Sequence, residues 1–140
     1  MATLNIVYYT GTGNTGEMAK YIGEGAENAG ATVKLINVEE ADESAVDADF
    51  IAFGSPAGGA EEVAAEMIEF IEEIKDKISG KKVGLFGSYD WGQGGWMETW
   101  REEMITENLA VVNDGLTIHL SVDDDEKIEK CREYGKAIVG

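Results

Sequence analysis

The chain has 140 residues, of which 28 are acidic and 11 basic, and its formal net charge is −17. Because domains typically run to roughly 100–150 residues, we expect residues 1–140 to form one domain. So acidic a chain is poorly suited to nucleic acid, whose phosphates are contacted by Lys and Arg, or to anionic membrane surfaces. No apolar run approaches the ~20 residues of a membrane helix, and no basic, apolar leader opens the chain, so we expect neither a membrane span nor a signal peptide.

The chain contains one cysteine, Cys131, and one histidine, His119. A lone cysteine cannot form an intrachain disulfide, which fits the reducing cytoplasm. One Cys and one His also argue against a structural zinc site. We therefore expect a cytoplasmic protein without a metal.

Strand and helix patterns alternate along the chain. A β-rich run over residues 4–9 leads into a Gly- and Thr-rich turn and then into a helical pattern that Gly30 ends. Further strands are predicted at residues 32–38, 50–53, 82–87 and, in two parts separated by 113–115, at 109–112 and 116–120. Helical patterns occupy residues 67–78, then Trp96, Trp100 and Met104, which we expect in the core, and a last helix that starts within 123–126 and buries Ile128, Cys131, Tyr134 or Gly135, and Ile138. The alternation predicts the second helix in the acidic segment 39–49.

This alternation predicts a parallel sheet covered by helices on both faces. Ligands of such folds bind beyond the carboxyl ends of the strands, where the strand order reverses. Gly-rich segments follow three of the predicted strands, at residues 10–15, 54–61 and 88–95. We therefore predict a ligand site built from these segments.

The first of these segments has the features of a phosphate-binding turn. Glycines allow backbone N–H groups to approach a ligand closely, and the following helix offers unpaired amides and a favourable dipole. The segment carries no charge, and it lacks the Gly-Lys-Ser/Thr ending of a Walker loop. Gly16 completes the G-x-G-x-x-G spacing of the dinucleotide fingerprint only by coincidence. The alternative is a simple turn before a helix. Its residues are Thr10, Gly11, Thr12, Gly13, Asn14 and Thr15.

The T-G-T-G-N-T turn resembles the FMN-phosphate loop of flavodoxins, and the stretch K-K-V-G-L-F-G-S-Y-D-W-G at residues 81–92 resembles short-chain flavodoxins of anaerobic bacteria. With the length and the order of elements, the resemblance covers essentially the whole chain. It implies a flavodoxin-like fold, a doubly wound five-stranded parallel sheet in the order 2-1-3-4-5 with helices on both faces.

The resemblance also implies which residues hold FMN. Thr10, Thr12, Asn14 and Thr15, with the amides between them, would bind the phosphate. The isoalloxazine and ribityl parts would lie against two further segments, which comprise Pro56, Ala57, Gly58, Gly59, Ala60 and Glu61, and Ser88, Tyr89, Asp90, Trp91 and Gly92.

Within these segments the resemblance assigns individual roles. Trp91 would stack on the flavin ring, as an offset indole can, with an ordinary loop or core aromatic as the alternative. Glu61 would accept a hydrogen bond from the flavin N3–H. The Gly59–Ala60 peptide would turn on reduction so that a carbonyl accepts from N5–H, and Gly59 keeps that turn cheap. Tyr89 stays open between ring contact and packing.

The implied function is a low-potential one-electron carrier with non-covalent FMN, cycling mainly between semiquinone and hydroquinone. No catalytic side chain is needed, because the cofactor supplies the chemistry. Its partners would be basic redox proteins, reductases and low-potential acceptors, meeting a monomer transiently; the alternative for the acidic surface is solubility alone. A rival class is an NAD(P)H-dependent flavin reductase. A phosphoacceptor receiver domain is rejected, because residues 8–10 and 53–55 lack its acids.

Two positions depart from close relatives in the family. Gly58 stands where Met often shields one ring face, so we expect a more exposed flavin there and weaker binding. Asp90 stands where Gly is common, and its carboxylate would disfavour the anionic hydroquinone unless it points into water and is screened.

Asp90→Asn is therefore expected to raise the second reduction potential, because it removes a negative charge beside the ring. The measurement is a potentiometric titration of both proteins at one ionic strength. An unchanged second potential would contradict the role given to Asp90.

Overall fold

The computed structural model describes residues 2–9, 13–56, 63–89, 95–119 and 122–140. Strands and helices alternate through these residues. The strands are β1 (Thr3–Tyr8), β2 (Thr32–Asn37), β3 (Phe50–Gly54), β4 (Lys82–Tyr89), β5 (Ala110–Val111) and β6 (Leu116–His119), and the α-helices are α1 (Asn14–Asn28), α2 (Ala65–Ile78), α3 (Gly95–Thr106) and α4 (Asp125–Val139). None of these helices is long and apolar enough to cross a membrane.

The strands form one parallel sheet in the order β2-β1-β3-β4-β5, and β6 also pairs with β4. Strand β5 pairs with the beginning of β4, whereas β6 pairs with its end, from Phe86 to Tyr89. Together β5 and β6 fill the fifth position of the sheet. The predicted fold class and the predicted break in the fifth strand are both confirmed.

Apolar side chains fill both faces of the sheet, which is why the strands have nearly continuous apolar sequences. In β1, Val7 belongs to the core cluster that α2 and α3 cover, whereas Leu4 and Ile6 belong to the cluster that α1 and α4 cover. Trp96 and Trp100 are 4% and 3% exposed, so their predicted place in the core is confirmed. The other predicted core residue of α3, Met104, is buried as well.

The acidic segment is not the second helix that the alternation predicted. It forms two 3-10 turns, Val38–Glu40 and Glu43–Val46. The side chain of Asn37 accepts from the Glu39 N–H at 3.0 Å, and that of Asp42 accepts from the Ser44 N–H at 2.9 Å. Such local bonds compete with an α-helix. The bonds from Ser44 also lower the pKa of the Asp42 carboxyl.

Helix α4 begins within the predicted range, and the side chain of its N-cap, Asp124, accepts from the Lys127 N–H at 2.8 Å. The predicted buried residues are confirmed except for Ile128, which is only half-buried. It lies near the start of the helix. Cys131, Tyr134, Gly135 and Ile138 are buried.

The hydroxyl of Tyr134 bridges the break between β5 and β6. It accepts from the Leu85 N–H of β4 at 3.0 Å and donates to the Val112 carbonyl at 2.8 Å. Leu85 lies between the part of β4 that pairs with β5 and the part that pairs with β6. Burial raises the pKa of Tyr134 to about 12, so the hydroxyl stays protonated and able to donate.

Helices α1 and α4 touch through glycines. A Cβ at Gly135 would overlap the carbonyl oxygen of Ile22, and one at Gly25 would overlap the carbonyl oxygen of Arg132. Next to this contact, Arg132 Nη2 lies 3.0 Å from Glu24 Oε1. Because backbone rather than a flexible side chain lies opposite each glycine, a methyl group there must push the helices apart.

Gly135→Ala is expected to lower the free energy of unfolding by about 1–3 kcal/mol, the usual cost of overpacking. The measurement is urea-induced unfolding followed by circular dichroism. Gly95→Ala is the control, because a Cβ at that helical position meets nothing within 4 Å. Equal losses in the two variants would contradict the steric explanation.

Candidate functional site

The carboxyl ends of the central strands lie together at one edge of the sheet. Gly54, the last residue of β3, pairs with Tyr8 of β1 and with Phe86 of β4. Beyond the strands, the Tyr9 N–H donates to the Gly54 carbonyl at 2.9 Å, and the Ser55 N–H donates to the Phe86 carbonyl at 3.1 Å. The chain leaves β1 toward β2 on one side and β3 toward β4 on the other. The strand order therefore reverses between β1 and β3, where such folds bind ligands.

The structure describes part of the predicted site. Its described members are Gly13, Asn14, Thr15, Pro56, Ser88 and Tyr89. The other predicted site residues, Thr10, Gly11, Thr12, Ala57, Gly58, Gly59, Ala60, Glu61, Asp90, Trp91 and Gly92, lie outside the described residues, and their roles stay predictions.

Helix α1 begins at this edge with Gly13 as its N-cap. Gly13 has φ 94°, a left-handed conformation that glycine adopts at little cost. Its carbonyl accepts the first helical hydrogen bond, from the Glu17 N–H at 3.0 Å. Among the described residues no side chain caps this end of the helix. The amino end of α1 therefore presents backbone donors and a positive dipole to an anion.

A buried hydrogen bond joins this helix end to β4. Thr15 Oγ1 lies 3.0 Å from Ser88 Oγ, and the two residues are 0% and 3% exposed. A hydroxyl has one donor and two acceptor sites, so each of these groups has capacity for a further partner. The bond brings together two of the predicted segments that are far apart in the sequence.

Ser88 and Tyr89 were predicted in a loop, but they are the last residues of β4. They pair with Ile118 and His119, so the extra strand length comes from β6 as a partner. The half-buried ring of Tyr89 lies 5.1 Å from the His119 ring, centroid to centroid, with 40° between the planes. Tyr89 thus packs against β6, and its contact with a flavin stays a prediction.

Three residues at this edge had no role in the sequence prediction. Ser55 is fully buried with a bonded hydroxyl, and a serine between an apolar strand and Pro56 was the only signal for it. Tyr9 follows β1 directly, and a hydrogen bond to the carboxylate of Glu66 in α2 raises its pKa. His119 was considered only as a metal ligand, and its place beside Tyr89 depends on the register of β6.

The described residues of this edge fit a phosphorylated aromatic cofactor. The amino end of α1 offers amides without a cationic side chain, since Lys20 is the first basic residue of the chain. Thr15 and Ser88 add hydroxyls, and Tyr89 adds an aromatic ring. Such a donor set is able to bind an anion by hydrogen bonds alone, and the parallel sheet with its reversal defines the class of doubly wound domains that hold such ligands.

Comparison with known proteins gives the family. The flavodoxin family model matches residues 6–135. The chain is 42% identical over 137 residues to a flavodoxin of Clostridium beijerinckii, covering 96% of this chain and 98% of that protein. It is 38% identical to a flavodoxin of Megasphaera elsdenii, with 96% of each chain covered. The solution structure of two-electron reduced Megasphaera elsdenii flavodoxin matches with a TM-score of 0.83 and covers 96% of this chain and 97% of that one.

The chain therefore belongs to the flavodoxin family. Flavodoxins are electron carriers, and FMN is the cofactor of the family. As a flavodoxin, the chain is an electron-transfer protein that acts with redox partners. The resemblance drawn from residues 10–15 and 81–92 is confirmed, and with it the expected cofactor class.

The Thr15–Ser88 bond predicts a coupled effect on stability. Ser88→Ala leaves the buried Thr15 hydroxyl without this partner and should cost about 1–3 kcal/mol of unfolding free energy in the protein freed of FMN. Thr15→Val should lower the unfolding free energy less in the Ser88→Ala variant than in the wild type. Thr106→Ala, which removes an exposed hydroxyl, is the control. Strictly additive losses in the urea-unfolding cycle would contradict the coupling.

Proposed function

We propose that this flavodoxin binds FMN non-covalently at the described edge and works as a low-potential one-electron carrier, mainly between the one-electron-reduced and the fully reduced flavin. The observation that carries the proposal is the amino end of α1, whose first residues Gly13 to Gly16 have no charged side chain and which is tied to the end of β4 by the Thr15–Ser88 hydrogen bond. It offers a phosphate neutral donors at the switch point.

In this proposal the phosphate is held by the turn that precedes α1 and by its first residues. Thr15 and Asn14 have described positions at the amino end of the helix, whereas Thr10 and Thr12 lie outside the described residues. The ring is bordered on one side by the segment from Pro56 to Glu61 and on the other by the segment from Ser88 to Gly92. FMN supplies the redox chemistry when it is bound.

The protein's part is to bind the redox states of the cofactor with different affinities. For a one-electron couple, each tenfold difference in affinity shifts the potential by about 59 mV. The carbonyl of the Gly59–Ala60 peptide would accept a hydrogen bond from the flavin N5–H. Glu61 would accept one from the flavin N3–H, and Trp91 would cover one face of the ring. These three roles rest on the family resemblance.

Acidic side chains lie near the edge of the sheet that carries the candidate site. All four α-helices of the described chain begin near that edge, and each has an acid in its first turn. These acids are Glu17, Glu66, Glu98, and Asp125 with Glu126. At the opposite edge, Lys75 and Lys77 lie in the last turn of α2 and Lys82 opens β4. Negative charge near the site opposes further charge on the reduced cofactor and attracts basic partners.

We infer that the partners are basic reductases and low-potential acceptors, bound transiently, and that the protein acts as a carrier rather than as an NAD(P)H-dependent flavin reductase. We also propose that it is a monomer in the cytoplasm. Its single cysteine, Cys131, is buried, and burial raises the pKa of this thiol to about 12. The large apolar side chains exposed in the described residues, Leu35, Ile68 and Ile105, lie on different elements.

The test is an absorption spectrum of the purified protein during stepwise reduction. We expect a yellow protein that shows a new long-wavelength band after one electron and loses it after the second. The protein alone should oxidise NADH or NADPH only slowly. A colourless protein that does not bind added FMN would contradict the carrier proposal, and rapid NAD(P)H oxidation would favour the reductase.

A further inference from the structure

The hydroxyl of Ser55 is bonded to both flanks of the segment 57–62. It donates to the Pro56 carbonyl at 2.9 Å and accepts from the Ala64 N–H at 2.9 Å. Pro56 directly precedes that segment, and Ala64 follows it after Val63. The fully buried side chain of Ser55 therefore connects the two ends of the segment 57–62, which links β3 to α2.

Ser55 is itself held in place by β4. Its N–H donates to the Phe86 carbonyl at 3.1 Å. The Ser55 carbonyl oxygen lies so close to Gly87 of β4 that a Cβ on Gly87 would overlap it. The Trp96 ring also borders this point. These contacts with β4 hold the Ser55 backbone, and therefore its hydroxyl, in place.

We propose that Ser55 is a positioning residue that fixes both ends of the segment 57–62 and thereby sets the separation between the two one-electron potentials of bound FMN. The inference rests on the proposed function, which places this segment beside the ring. A peptide that turns toward the ring forms its new hydrogen bond efficiently only when the flanks stay in place. If the flanks are loose, part of the bond's free energy is lost to ordering the segment.

The expected effect of Ser55→Ala falls mainly on the one-electron-reduced flavin, because the new hydrogen bond forms in that state. We expect the one-electron-reduced flavin to be bound about tenfold more weakly relative to the oxidised and the fully reduced flavin. A tenfold change corresponds to the net contribution of about one hydrogen bond. The first potential should then fall and the second rise, each by about 59 mV. The affinity for oxidised FMN should change less than this ratio.

The matched control is Tyr134→Phe. The Tyr134 hydroxyl makes the same two kinds of bond as Ser55, one donated to a carbonyl and one accepted from a backbone N–H, but it bridges the break in the fifth strand position. A general loosening of the fold would affect both variants alike. Ser55→Cys, which keeps the shape with a weak donor and acceptor, is a second variant in case the alanine protein folds poorly.

The experiment measures both potentials by spectroelectrochemistry, FMN affinity by titration, and amide hydrogen exchange at Ala64 in the protein freed of FMN. The inference is supported if the Ser55 variants show faster exchange at Ala64 and a smaller separation between the two potentials. Tyr134→Phe should leave that separation unchanged. The inference alone is overturned if the Ser55 variants leave the separation between the two potentials unchanged, or if Tyr134→Phe narrows that separation equally. A wild-type protein that shows no separate one-electron steps overturns the carrier proposal and this inference with it.

Discussion

The parallel pairing of β1 with β3 is the constraint on which the rest of the structure depends. Because β2 lies on the other side of β1, the chain must cross the sheet after β1 and again after β2. Helix α1 makes the first crossing and must therefore begin at the carboxyl end of β1. The same register brings Gly54 level with Tyr8 and Phe86, so the exits of three strands meet beside the amino end of α1. The place of the site follows from strand order before any side chain is considered.

At that meeting point the structure places buried hydroxyls and backbone hydrogen-bond donors. A buried hydroxyl is costly unless it is hydrogen-bonded, so each one must be matched to a partner. Thr15 is matched to Ser88, and Ser55 to the backbone of Pro56 and Ala64. These bonds tie α1 to β4 and the exit of β3 to α2. The uncharged site is therefore also a set of cross-links between the segments that border it.

Much of the fold was predictable because it depends on apolar spacing. Val7, Trp96 and Cys131 lie in strands and helices whose periodicity is visible in the sequence, and all three are buried. The 3-10 turns at Val38–Glu40 and Glu43–Val46 were not predicted, since their cause is a pair of local caps on Asn37 and Asp42. The sequence predicted the end of β4 two residues too early, because its last two residues are strand only by pairing with β6.

The candidate site was predictable to a different degree. The Gly-rich segments marked its position, because glycines and hydroxyls after a strand are unusual together. Ser55 was not predictable, because its importance lies in bonds to two backbone groups on either side of a six-residue segment. A pattern read along the chain shows which residues are suited to a ligand. It does not show which buried residue holds those residues in place, since that depends on distances between strands.

The fold accounts for the acids that lie near the candidate site. Acids are favourable in the first turn of a helix and bases in the last turn, because of the helix dipole. In a parallel α/β sheet the helices begin at the same edge, so the first turns that carry Glu17, Glu66 and Glu98 all lie on the side of the candidate site. A phosphate at that edge would meet repulsion from these acids. The start of α1 from Gly13 to Gly16 has no charged side chain, so it would present amide and hydroxyl donors to the phosphate at hydrogen-bonding range, where they would outweigh exposed charges that solvent and salt screen.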